Sequence, residues 1–205
     1  MNADTMKVHP DTQPGMVALT VANMEGSLGF YRQVLAMELQ AREDNLARLG
    51  PKGGEPLVEL LHDPSAQPPQ TPSTGLYHMA LRLPARRDLA AMLEHMLQLA
   101  WPLQGAADHL VSEALYLADP EGNGIELYRD RPRQEWPYRD GELQMATNPL
   151  DVNGLLGELR REDNPAVAGM ANQAVLGHVH LKVADIAAAE RFYTGALGME
   201  LVTRY

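Results

Sequence analysis

Apolar and polar positions alternate early in the chain. In GMVALTV, Val17, Leu19 and Val21 fall on one side of an extended strand, and Met16, Ala18 and Thr20 on the other. Helical spacing follows at once, because Leu28, Tyr31 and Leu35 recur at three and four residues and define one apolar helix face. The same strand-then-helix form returns in YHMALRLPARRDLAAMLEHMLQL (77–99), with Leu89, Met92, Leu93 and Met96 on the helix face. A third copy is nearly literal: GMVALTVANMEGSLGFYRQVLAMEL (15–39) reappears without gaps as GHVHLKVADIAAAERFYTGALGMEL (177–201). Ile186, Phe192 and Tyr193 form its apolar face.

Each of the first two copies closes with a strand of related pattern, LVELLHDP (57–64) and GIELYRDRP (124–132), which puts Glu59 in the slot of Glu126. Two short strands fit between helix and closing strand in each unit, in LQAREDN and LARLGPKGGEP, then in DHLVSEALYLAD with the turn PEGNG. The order is β-α-β-β-β, twice, over modules 16–64 and 77–132. The expected architecture is α+β, with paired βαβββ modules forming a curved mixed sheet around a cleft. Residues 1–145 make the first domain. Residues 146–173 make a linker with a short helix at VNGLLGELRRE, and 174–205 the start of a second, truncated domain. SAQPPQTPSTG (65–75) reads as the linker between modules.

Strand parity then locates the polar groups. Met79, Leu81 and Leu83 must pack on their helix, so His78, Ala80 and Arg82 face the other way, as do His178, His180 and Lys182 in the third copy. The same parity turns Glu59 and Glu126 from the helices. If modules 16–64 and 77–132 curve around one cleft, Met16, Glu59, His78 and Glu126 become equivalent positions lining it. A carboxylate there is costly to desolvate unless it is paired, protonated or bound to a cation.

Each candidate also has a plainer reading. His78 can be a hydrogen-bonded structural residue, Glu126 an exposed edge carboxylate and Glu59 a solvated one. His109 either reaches the cleft as an acid/base or sits on a sheet edge. DPEGNG resembles a phosphate loop only in composition; it joins two strands and no helix follows, so it reads as a hairpin turn.

Composition narrows the chemistry. A net charge of −10 disfavours nucleic acid and anionic membrane surfaces. No cysteine is present, so thiolate nucleophiles, disulfides and Cys-ligated zinc are excluded. Any metal is left to His, Asp or Glu, a donor set suited to Fe(II), Mn(II), Ni(II) or Zn(II). The start, MNADTMKVHP, has no apolar segment, and no run approaches the ~18 apolar residues of a membrane span, so a cytoplasmic setting is expected.

GHVHLKVADIAAAERFYTGALGMEL, GLYHMALRLP and LYLADPEGNGIELY together resemble the vicinal oxygen chelate superfamily, which includes glyoxalase I, bleomycin-resistance proteins and type I extradiol dioxygenases. The order of segments is most similar to two-domain catechol 2,3-dioxygenase-like proteins. That resemblance implies iron held by a His on the first strand of each paired module and a Glu on a closing strand. Over residues 16–132 those slots hold Met16, His78 and Glu126, so the first imidazole is missing. Either Glu59 is the third ligand, closer to the glyoxalase arrangement, or the domain is degenerate; His178 fills a first-ligand slot in the next domain.

The implied activity is Fe(II)-dependent ring cleavage of a catechol-like diol by O2, with His180 or His109 accepting a diol proton. A bleomycin-resistance-like binding protein and a glyoxalase-like isomerase or lyase are the alternatives. Exposed strand edges and the apolar face of Ile186, Phe192 and Tyr193 predict a homo-oligomer.

Overall fold

The computed structural model describes residues 7–68, 73–160 and 169–204. Of the linkers expected at 65–75 and 146–173, residues 69–72 and 161–168 lie outside the described residues. The first repeat folds as β1 (Val17–Val21), α1 (Met24–Gln33), β2 (Glu38–Glu43), β3 (Leu46–Gly50) and β4 (Val58–His62). Asn23 caps α1 by accepting from the Gly26 amide at 3.0 Å. The helix buries Leu28, Phe30 and Tyr31 against Leu19, Val58 and Leu60 of the sheet, whose order is β1-β4-β3-β2.

The second repeat follows the same plan: β5 (Gly75–Arg82), α2 (Arg86–Gln98), β6 (Gly105–Asp108), β7 (Ser112–Ala118) and β8 (Gly124–Asp130). The Asp88 carboxylate accepts from the Ala85 amide at 3.0 Å and fixes the start of α2. DPEGNG is a hairpin turn, tied by Asp119, which accepts from the amides of Glu121 and Asn123. Beyond it come the short strands β9 (Tyr138–Arg139), β10 (Glu142–Leu143) and β11 (Asn148–Pro149), then α3 (Val152–Gly157), β12 (Val175–Lys182) and α4 (Ile186–Arg191).

The strand pairing departs from the expected cleft between modules 16–64 and 77–132. These two units share a core and touch through the Phe30–Trp101 ring contact and the buried Tyr31 hydroxyl, which donates to Asp119 at 3.0 Å. Their sheets do not join edge to edge. The free edge of β5 is taken instead by β12, antiparallel, giving a six-stranded sheet β11-β6-β7-β8-β5-β12.

Charge supplies a reason for that choice. The cleft face of β5 and β8 carries the buried carboxylate of Glu126. Strand β12 brings imidazoles to it, whereas β1 offers only Ala18 and Thr20 on the corresponding face, with Met16 just ahead of it.

The third repeat is far less covered than the first. Leu19 and Phe30 are 7% and 3% exposed, but their counterparts Leu181 and Phe192 are 38% and 53% exposed. No helix among the described residues is long and apolar enough to cross a membrane.

Candidate metal centre

Strands β5 and β8 are parallel neighbours, with His78 beside Gly124 and Ala80 beside Glu126. Met79, Leu81, Ile125 and Leu127 are buried in the main core, so parity turns His78, Ala80, Glu126 and Tyr128 to the opposite, cleft-lining face. Strand β12 extends that face by pairing His178 with Ala80 and His180 with His78. Three donors therefore converge. Nε2 of His78 lies 2.9 Å, and Nε2 of His178 3.1 Å, from the same Oε2 of Glu126.

The ligand atoms of His78, Glu126 and His178 all lie within 4.8 Å of one another. Donors ringing an ion at about 2.1 Å stand roughly 3.0–3.4 Å apart, and the two imidazole-to-carboxylate distances are close to that. Moreover, Nε2 of His78 is buried, and its close polar neighbour is the Glu126 carboxylate, with which it makes an ion-pair contact but no well-formed hydrogen bond. Such a group costs about 1–3 kcal/mol if nothing binds it. The set fits a divalent cation, and two imidazoles with one carboxylate suit a non-haem Fe(II) site with open positions.

The electrostatics agree. Burial pushes the Glu126 carboxyl up, but the imidazoles of His178 and His78 outweigh it and hold it down to about 2. Glu126 is thus a carboxylate at neutral pH. Burial, and then the neighbouring rings of His78 and His178, lower His180 below the ordinary imidazole range.

A cleft of about 440 Å³ opens over the cluster, walled by Tyr77, Gln104, His109, Tyr116, Thr147 and His180. His180 packs its ring edge-on to His78 at 4.8 Å between centroids. His109 lies in the turn between β6 and β7, buried, with Nδ1 2.7 Å from the Ala146 carbonyl and Nε2 2.6 Å from the Tyr116 hydroxyl. A carbonyl only accepts, so Nδ1 carries the proton in the neutral ring and Nε2 accepts from Tyr116. Tyr116 was not among the sequence candidates. Its signal lay in parity: it pairs with Glu126 across β7 and β8 and so shares the cleft face.

Glu59 does not join the cluster. It sits in the four-stranded sheet, opposite Arg48 in the β3–β4 pair, and accepts from Arg48 Nε at 2.7 Å. The arginine satisfies the carboxylate locally, so the expected ring of Met16, Glu59, His78 and Glu126 does not form. Met16 is 37% exposed, just ahead of β1.

Residues 13–127 match the family model of the Glyoxalase/Bleomycin resistance protein/Dioxygenase superfamily, and the chain belongs to that superfamily. It is 40% identical over 200 residues to catechol-2,3-dioxygenase of Bacillus subtilis (strain 168), a match spanning 97% of this chain and 69% of that protein. Solved structures that share the fold include the following two. A glyoxalase/dioxygenase from Nostoc punctiforme has a TM-score of 0.50 at 19% identity, over 57% of this chain and 90% of its own. A glyoxylase/bleomycin resistance protein/dioxygenase domain from Frankia sp. EAN1pec has a TM-score of 0.51 at 18% identity, over 60% and 94%.

Proposed function

We propose that this protein is an extradiol dioxygenase that holds Fe(II) through His78, Glu126 and His178 and cleaves the ring of a catechol-like diol beside its hydroxyl groups. The observation that carries the reading is the convergence of those three donors on the floor of an open cleft. The named activity of the Bacillus subtilis relative supports the substrate class. Bound there, the metal would supply Lewis acidity toward the diol oxygens and an electron path between diol and O2. Mn(II), Ni(II) and Zn(II) suit the same donors.

The protein's own groups supply orientation and proton handling. His180 faces the cleft beside the cluster and accepts a diol proton. The Tyr116 hydroxyl commits its hydrogen to His109, so its oxygen presents an acceptor toward the cleft. His109 therefore acts through Tyr116, and the Ala146 carbonyl holds it in the needed tautomer. Residues 174–205 contribute His178 as the opening strand and helix of a further module. The protein would serve aromatic catabolism in the cytoplasm.

The test is oxygen uptake by Fe(II)-loaded protein given catechol, measured together with the ring-opened product. One O2 consumed per diol cleaved is the expected result. Metal uptake without oxygen consumption would move the reading to a bleomycin-resistance-like binding protein. Activation by nickel or zinc without oxygen would point to a glyoxalase-like reaction, although Glu59, its main support, is engaged by Arg48.

A further inference from the structure

Strand β12 meets β5 with an irregularity at the metal cluster. Leu176 pairs with Leu81 and His178 with Ala80, leaving Gly177 as an extra residue between them. In an unbroken strand, residues two apart share a face. Leu176 is 2% exposed in the main core while His178 points to the cleft, so the bulge is what lets residues two apart face opposite ways.

The bulge is occupied from β8. Tyr128 lies on the cleft face two residues beyond Glu126, beside the small Ala80 of β5 in a minor buried cluster. A Cβ built on Gly177 would meet the Tyr128 hydroxyl and ring carbons. The same ring packs on the His178 imidazole, 5.2 Å between centroids at 58°. Thus one side chain fills the space that a glycine leaves open and backs the neighbouring imidazole.

We propose that Tyr128 and the bulged Gly177 are positioning residues that aim His178 at Glu126. The inference rests on reading His78, Glu126 and His178 as metal ligands. Gly177 is required because any side chain there drives into Tyr128. Tyr128 is required because its ring stops the exposed side of β12 from turning His178 out of line.

Cobalt(II) titration, read by visible absorption, tests this without turnover. Gly177→Ala should weaken Co(II) binding by about tenfold and alter the absorption bands, the low end of losses seen when a ligand's supporting group is removed. Tyr128→Ala should cost a similar factor, and Tyr128→Phe, which keeps the ring, should bind as wild type. In the double variant the alanine at 177 meets no tyrosine, so its cost should vanish and the affinity should equal that of Tyr128→Ala alone. Additive losses, or Gly177→Ala binding as wild type, would overturn the proposal. If Gly177→Ala does not fold, Tyr128→Ala and Tyr128→Phe decide, because neither adds atoms; equal affinity for these two overturns it. Wild-type protein that takes up no cobalt removes the ligand assignment and the proposal with it, whereas uptake indifferent to these substitutions removes the proposal alone.

Discussion

Nε2 of His178 stands 3.1 Å from Oε2 of Glu126, joining a strand of the third repeat to the closing strand of the second. The candidate centre is therefore built between repeats. Two donors come from β5 and β8, and the third arrives on β12 after a linker. Glu126→Gln keeps the shape of the side chain and removes its charge. We expect it to weaken Fe(II) or Co(II) binding by roughly 100-fold or more, since loss of supporting groups alone costs about 10–100-fold. Isothermal titration of metal into both proteins checks this, and unchanged affinity would contradict the assignment.

Tyr116→Phe removes the hydroxyl that donates to His109 without touching a metal donor. The expected result is a drop in kcat of roughly tenfold, the order expected for loss of one orienting hydrogen bond, with metal content unchanged. Oxygen-electrode assays with parallel metal analysis measure both. A kcat within twofold of wild type would leave Tyr116 a wall residue only.

Away from the cleft, Glu113 is buried between the guanidinium groups of Arg86 and Arg129, at 2.8 Å and 2.6 Å. Burial alone would raise its pKa, but the hydrogen bonds from Arg86 and Arg129 outweigh it and the carboxyl is depressed. A depressed carboxyl contributes stability that is present above its ordinary value of 4.5 and is lost as pH falls through the lower folded value. Glu113→Gln should therefore destabilise the protein near neutral pH by about 3–5 kcal/mol, the cost of breaking a buried pair. The deficit should shrink below pH 4.5, where the wild type protonates as well. Urea unfolding at several pH values tests the sign, and a deficit that grows in acid would contradict it.

Ile186 and Phe192 are 77% and 53% exposed on the uncovered face of the third repeat. We expect copies of this chain to associate through that face, and Ile186→Lys with Phe192→Lys to shift the population toward monomer in light scattering. A wild type that stays monomeric at high concentration would contradict the expectation.

Much of this arrangement was legible in the chain. Repeated strand and helix patterns located the βαβββ units, and parity put His78, Glu126, His178 and His180 on cleft-facing positions. Three features were not. Parity assigns a face but no partner, so Glu59 looked equivalent to Glu126 until Arg48 was found opposite it. Likewise β1, β5 and β12 carry similar edges, and which two would pair depended on where a buried carboxylate could find an imidazole. Gly177 reads as an ordinary strand residue in sequence, because a bulge is a property of two strands together.

The most direct test of the central claim is anomalous diffraction from crystals grown with Fe(II) or Co(II). The account predicts one peak about 2.0–2.2 Å from Nε2 of His78, Oε2 of Glu126 and Nε2 of His178. A loaded crystal with its peak elsewhere, or with these three side chains turned from one another, would contradict it.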